Sequence, residues 1–306
     1  MMRVVAIVGA TATGKTALGE AIAEALAGEV VCADSRQVFR ELEIGTGKPS
    51  ASQRAALPHH LFDLLTLGER ASAGLWTGAA RAHCEAITAR GRVPVLVGGS
   101  GLYIRTLQHG IAAEPPHDAA LRASLAEEAR VLGAPALHRR LADADPETAG
   151  RLDPADTQRV TRALEVWLTS GKPLSWWHRE RPGEPLAALW SVIELTLDSE
   201  ALADRIAART RVMFDQGLEE ETRALVDGGH AQALRALHAV GYDEALARIE
   251  GRIDRAEAEA ETNRRTRQLA RRQRTWFRHQ IEAVRIDAML PPPVLWERAL
   301  AVARPH

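Results

Sequence analysis

The stretch Gly9-Ala10-Thr11-Ala12-Thr13-Gly14-Lys15-Thr16 constrains this chain more than any other. It has the form G-x-x-x-x-G-K-T and lies between an apolar run, Arg3 to Val8, and a helical pattern from Lys15 to about Ala27. That order of strand, glycine-bearing turn and helix is the context in which the motif means a phosphate loop. Successive backbone N–H groups and the helix N-terminus cradle a diphosphate, Lys15 adds a mobile cation, and the Thr16 hydroxyl can meet a metal or a phosphate oxygen. The alternative is a helix whose start merely contains glycines. The motif specifies a diphosphate-bearing group and leaves the rest of that molecule open.

A second strand, Glu29 to Asp34, ends on a carboxylate, and a third, Val93 to Val97, follows a predicted helix from Ser72 to Arg90. Pro94 near its start implies that the first backbone donor there is not needed by a central ladder. This rhythm predicts an α/β fold, a P-loop NTPase-like parallel sheet flanked by helices. After Tyr103 the pattern changes to helical, Arg/Ala-rich sequence, broken at Gly133-Ala134-Pro135, Asp145-Pro146 and Asp153-Pro154. A strand from Trp190 to Leu197 then returns to the sheet. A helical insertion domain is therefore expected at 115–185 within a core made of 1–114 and 186–306. From Ser199 onward the chain reads as almost all helix, including a long one from Arg255 to Gln280, and Pro291-Pro292-Pro293 precedes a short tail.

The 39 basic and 40 acidic residues leave a net charge of -1, so the whole molecule offers no bulk attraction to polyanions. Cys32 and Cys84 are too few for a disulfide framework or a four-sulfur zinc site. With no apolar leader and no long uncharged span, the expectation is a cytoplasmic protein without membrane contact, and nothing demands more than a monomer. Only three lysines occur, Lys15, Lys48 and Lys172.

Asp34-Ser35-Arg36-Gln37 sits at the predicted carboxyl end of the second strand, on the edge where open α/β sheets bind ligands. Asp34 there is either a magnesium ligand or general base, or simply a helix cap. His59-His60 lacks a third ligand at zinc spacing and reads as a loop anchor. Residues 262–280 hold Arg264, Arg265, Arg267, Arg271, Arg272, Arg274 and Arg278 and no acid. Such a helix can track a phosphate backbone or be a solvated face, with Trp276 and Phe277 either stacking or packing.

Taken together, these pieces resemble the bacterial tRNA dimethylallyltransferase family, also called tRNA isopentenyltransferase. The resemblance rests on Gly9 to Thr16, Asp34 to Phe39, Ile44 to Pro49, Pro58-His59-His60-Leu61, Ser72-Ala73-Gly74 and Gly98 to Tyr103. It continues through Gln158-Arg159, Arg162 to Val166, Thr169 to Lys172, Val240-Gly241-Tyr242, Thr266 to Gln273 and Thr275 to Arg278, in family order over nearly the whole chain. Ala10 stands where proline is common, Thr13 where serine is, Phe39 where tyrosine is, and Ser100 where threonine is.

The resemblance implies transfer of a dimethylallyl group from dimethylallyl diphosphate to N6 of adenosine 37, in tRNAs reading codons that begin with U. The loop Gly9, Ala10, Thr11, Ala12, Thr13, Gly14, Lys15 and Thr16 would hold the diphosphate of this donor rather than ATP, with Mg2+ on Thr16. Asp34 would be the general base, Thr16 would contact the bridging oxygen, and Arg209 would face the diphosphate. Asp34, Ser35, Arg36, Gln37, Ser100 and the run Gln158, Arg159, Val160, Thr161, Arg162 would face the tRNA anticodon stem-loop. Arg122, Val240, Gly241 and Tyr242 would join them, with Arg271, Arg272, Arg274 and Arg278 along its backbone. The competing readings are a kinase using ATP on the same loop, an adenylate isopentenyltransferase acting on free nucleotides, and a non-enzymatic RNA-binding module. The insertion and the arginine-rich helix favour a tRNA acceptor over a free nucleotide.

Overall fold

The computed structural model describes residues 1–304. They form two compact units, residues 1–108 with 186–306 and residues 109–185, of which the first is α/β and the second helical. The first holds a six-stranded sheet of β1 (Arg3–Gly9), β2 (Glu29–Cys32), β3 (His59–His60), β4 (Pro94–Gly98), β5 (Leu189–Thr196) and β6 (Val284–Asp287). The order is β3-β2-β4-β1-β5-β6, and every pairing is parallel.

The apolar run of β1 is continuous because both faces of the sheet are covered. Val4, Ala6 and Val8 enter one core with Trp76, Ala80, Cys84 and Ile87, while Val5 and Ile7 enter the other with Leu18, Ile22 and Ala23. The first set lies on helix Ala73–Ala89 and the second on helix Lys15–Ala25. Spacing of three and four residues keeps the first set on one helix face, and in the second Leu18 and Ile22 are four apart with Ala23 beside them. Each fully buried aliphatic side chain contributes on the order of 1.5–3 kcal/mol, set against the entropy of ordering the chain. Pro94 opens β4, a central strand, where first position is the one place a central ladder tolerates proline.

Three features depart from the sequence expectation. The stretch after Ser199 contains a strand, β6, which pairs with β5 and buries only Ile286 of its four residues, so no apolar pattern announced it. His59-His60 is a two-residue edge strand beside β2 rather than a loop. The triple proline starts a twelve-residue helix, Pro292–Ala303, because proline's missing N–H costs nothing in a first turn.

The helical unit contains Ala119–Leu132, Ala134–Ala144, Pro146–Ala149, Thr157–Ser170 and Leu174–Glu180 around Leu125, Leu137, Leu141, Val160 and Leu164. Three of its helices are capped by aspartates, Asp118 accepting from Leu121 N–H, Asp145 from Thr148 N–H and Asp156 from Arg159 N–H, while Gly133 and Pro173 precede the other two. The unit begins at His109 rather than at 115. Its entering and leaving segments already run side by side there, with Ala113 N–H donating to Arg181 O at 3.1 Å. A Cβ on Gly110 would stand 2.1 Å from Gly183 O, so that close approach requires glycine. Among the described residues no helix is long and apolar enough to cross a membrane.

Candidate active site

The carboxyl ends of β2, β4 and β1, adjacent in the sheet, deliver Asp34, the Gly98-Gly99-Ser100 turn and the phosphate loop to one edge. Loop geometry follows from glycine at its two ends. Gly9 has φ +140° with its α-carbon so close to β5 that a Cβ would lie 2.5 Å from Leu195 O, and Gly14 has φ +92°. Thr13 is 2% exposed and donates to Ala10 O at 2.9 Å, and Lys15 Nζ donates to the same carbonyl at 2.6 Å. Thr13 thus braces the loop from within instead of lining the cavity beside Thr11, because its hydroxyl is spent on the backbone.

A small cavity of about 70 Å3 opens beneath the loop. Thr11, Lys15, Thr16, Asp34, Gln37 and Arg209 give it a polar wall, and Val30, Phe62, Val97 and Pro49 give it an apolar one. Burial pulls the Lys15 ammonium down to about 8, partly countered by the Asp34 carboxylate and reinforced by Arg209. Arg209, also lowered by burial and held up by Asp34, donates to Thr11 Oγ1 at 3.4 Å and to Thr46 O at 3.0 Å. The site therefore gathers two cations, and removing water from them costs energy that an arriving dianion offsets.

The capping reading of Asp34 is met by one oxygen, and the other oxygen stays available. Oδ1 caps the following turn, accepting from Arg36 N–H at 2.9 Å and from Gln37 N–H at 3.5 Å. Oδ2 has no hydrogen-bond partner among the described residues, and the residue lines the cavity. Gln37 Nε2 donates to Thr46 O and Gly47 O, each at 3.1 Å, and Ser100 Oγ accepts Ser35 N–H at 2.8 Å.

A larger cavity of about 420 Å3 shares Thr11, Asp34, Thr46, Arg209 and Gln273 with the first. Arg36, Val240, Gly241, Arg265 and Arg272 extend its wall. Tyr242 is fully buried, however, and its hydroxyl donates to Glu221 and accepts from Gly45 N–H at 3.2 Å. It props the loop carrying Thr46 through its hydroxyl while lining the larger cavity. Lys48 has the same kind of role, its Nζ donating to Phe39 O, Arg40 O and Asp63 Oδ1 from a fully buried position.

On the long helix Arg255–Gln280, Arg264 pairs with Glu261, Arg265 with Asp243 and Glu244, and Arg274 donates to Ser199 Oγ. Arg267, Arg271, Arg272 and Arg278 are exposed and have no ion pair among the described residues. Trp276 packs against the Gly101 backbone and Phe277 is buried, which decides between packing and stacking.

In the helical unit, Gln158 and Arg159 are exposed, whereas Val160 is fully buried and Thr161 is 6% exposed. A run of five residues wraps around a helix, so it cannot present one face. Val160 and Thr161 therefore belong to that unit's interior. Arg162 bonds Glu114, Glu165 and Pro115 O, and Arg122 lies 3.6 Å from the fully buried Glu165. The sequence placed Gln273 within a family motif but gave it no role, since an uncharged residue among arginines carries no compositional signal.

A family model described as IPP transferase matches residues 37–280, and one described as isopentenyl transferase matches residues 2–59. The chain belongs to the IPP transferase family. It is an enzyme of the tRNA dimethylallyltransferase class. A tRNA dimethylallyltransferase of Halorhodospira halophila is 46% identical over 288 residues, 93% of each chain. One of Desulfovibrio desulfuricans is 40% identical over 289 residues, 94% of this chain and 88% of that one. The solved tRNA isopentenylpyrophosphate transferase of Bacillus halodurans superposes with a TM-score of 0.70 at 32% identity, covering 99% of this chain and 96% of that one. A eukaryotic dimethylallyltransferase acting on tRNA, at 23% identity, shares the fold with a TM-score of 0.80, covering 98% of this chain and 77% of that one.

Proposed function

We propose that the enzyme transfers the dimethylallyl group of dimethylallyl diphosphate to N6 of adenosine 37 in tRNAs reading codons that begin with U. The observation that carries this reading is the shared wall of the two cavities, where Asp34 lies between the phosphate loop and a larger, arginine-lined space. The diphosphate occupies the loop under Lys15 and Arg209, and the prenyl chain lies against Val30, Phe62 and Val97. The flipped adenine enters the larger cavity, at an unstacking cost of a few kcal/mol.

The reaction breaks the bond between C1 and the bridging oxygen and forms one between C1 and N6. Negative charge grows on the departing diphosphate, where Lys15, Arg209 and the loop amides are already oriented, so little reorganisation accompanies it. Adenine's amino group is a weak nucleophile, and Asp34 Oδ2 takes its proton as the new bond forms. Among the described residues no cluster of three or more metal-ligating side chains exists. Thr16 would nevertheless suffice to hold a Mg2+ on the protein side, because magnesium uses few protein ligands and keeps several waters. When bound it neutralises leaving-group charge.

RNA contact is assigned to Ser35, Arg36, Gln37, Ser100, Val240 and Gly241 near the cavities and to Arg271, Arg272 and Arg278 along the long helix. Gln158 and Arg159 offer a separate exposed surface on the helical unit. The test is incubation with dimethylallyl diphosphate, Mg2+ and unmodified tRNA, followed by nucleoside mass spectrometry. Prenylated adenosine 37 is the expected product. Prenylated free adenine nucleotide would instead assign an adenylate isopentenyltransferase, and the absence of both would return the site to ATP-dependent chemistry.

A further inference from the structure

Gln273 spends both ends of its amide on the two loops that build the site. Oε1 accepts the Thr11 N–H at 2.9 Å, and Nε2 donates to Gly99 O at 3.0 Å. The approach is so close that a Cβ on Gly99 would lie 2.4 Å from Nε2. Three residues on, and so on the same helix face, Trp276 comes equally close to Gly101, where a Cβ would stand 2.1 Å from its ring. The long helix thus presses on the turn after β4 at two points, one polar and one apolar.

The two bonds lead into the reacting groups. Thr11 Oγ1 takes the Arg209 hydrogen bond, so a shift of the Thr11 backbone moves a partner of that guanidinium. Gly99 precedes Ser100, whose Oγ fixes the Ser35 N–H beside Asp34. Gln273 itself lines both cavities. Its neighbour Arg272 lines the larger one, and Arg271 is exposed on the solvent side of the helix.

We infer that Gln273 is a positioning residue for prenyl transfer, holding the phosphate loop at Thr11 and the Gly99-Ser100 turn in register with the arginine-bearing helix. The inference rests on the reading of the loop as the diphosphate cradle and of Asp34 as the base. The amide is suited to this because it is donor and acceptor at once and carries no charge into a site already holding Lys15, Arg209 and Asp34. Leucine preserves bulk and abolishes both bonds. Glutamate still accepts from Thr11 N–H, but turns a lone pair toward Gly99 O until it is protonated, when its hydroxyl can donate there.

The experiment measures kcat, KM for tRNA and the dissociation constant of Mg2+-pyrophosphate for wild type, Gln273→Leu and Gln273→Glu, with kinetics from pH 5.5 to 8. The ratio to wild type at each pH isolates position 273, since the other ionisable groups are common to all three proteins. For Q273L, kcat should fall about thirtyfold with KM for tRNA within about twofold, and pyrophosphate binding should weaken. For Q273E the activity ratio should rise toward acid, while that of Q273L stays flat. Overturning results are a Q273L kcat within about threefold of wild type, a loss carried wholly by KM for tRNA, or a Q273E ratio that does not change with pH. If Q273L does not fold, the Q273E profile decides alone. Wild-type protein that binds pyrophosphate but prenylates no RNA would defeat the acceptor reading, leaving the pyrophosphate comparison to judge Gln273.

Discussion

The phosphate loop and the long helix, the two regions to which the proposed function gives phosphate contact, are built on opposite principles. In the loop, position is fixed by backbone: Gly9 and Gly14 set the curve, and Thr13 and Lys15 both return to Ala10 O. Over residues 262–280 of the helix, seven arginines are arrayed by periodicity alone, and burial and pairing then sort them. Arg264, Arg265 and Arg274 are engaged by Glu261, by Asp243 and Glu244, and by Ser199, leaving Arg267, Arg271, Arg272 and Arg278 outward. Under the proposed function, a preorganised cradle suits one small dianion, and a sparse row of outward charges suits a long backbone. The difference teaches that arginine count overstates the outward positive surface of a helix, whereas a loop motif states the diphosphate it suits and leaves the rest of that molecule open.

If this contrast is correct, substitutions in the cradle act on chemistry and those on the helix act on affinity and salt dependence. The largest effect is expected from Asp34→Asn, which keeps the Oδ1 cap to Arg36 while removing the base. Single-turnover prenylation should fall roughly 10²–10⁴-fold with tRNA binding unchanged. A comparable loss from reduced stability alone, read by thermal melting, would show that the cap was the residue's role. Lys15→Met should cost about 10²–10³-fold in turnover and weaken pyrophosphate binding, since one oriented cation is lost.

The third effect is on pH. Lys15 sits near 8 in the free protein, below its usual value, so its charged form is lost as pH rises through that point. Pyrophosphate affinity should therefore be full below about pH 7, fall by up to about tenfold per unit above 8, and lose that dependence in Lys15→Met. Calorimetric titration between pH 6.5 and 9.5 checks the sign. A flat wild-type profile would mean that Lys15 is not a diphosphate ligand.

On the helix, Arg271→Gln should weaken tRNA binding a few-fold and reduce the slope of log affinity against log salt by about 1, with kcat retained. The smallest effect is expected from Arg264→Gln, whose guanidinium is already paired with Glu261 in an exposed contact of little energetic consequence. Its tRNA affinity should remain within about twofold, and equal losses at Arg264 and Arg271 would erase the distinction between paired and outward arginines.

Sheet, loop and insertion were legible in the sequence because each has a local cause. An apolar run buried on both faces, glycines at a forced turn and Asp-Pro breaks between helices need no knowledge of distant residues. The long helix was legible to both ends, since Asp254 caps it and its polar periodicity is unbroken. The edge strand β6 was not, because its pairing with β5 supplies what its own residues lack. Nor was the division of residues 158–162, where Val160 turns inward and Arg159 outward only once the helix packs.

What the sequence determined by itself was a loop suited to a diphosphate, with Lys15 and Thr16 on it and the Asp34 carboxylate at the neighbouring strand end. What tertiary structure decided was which neighbours hold them. Tyr242 became a prop for the Gly45 loop, Lys48 a buried brace, and Gln273 a bridge between Thr11 and Gly99 from 262 residues away. Such roles depend on hydrogen bonds between segments remote in the chain. A short-range pattern carries turn geometry and helix periodicity, but it carries no record of which distant amide will need a partner.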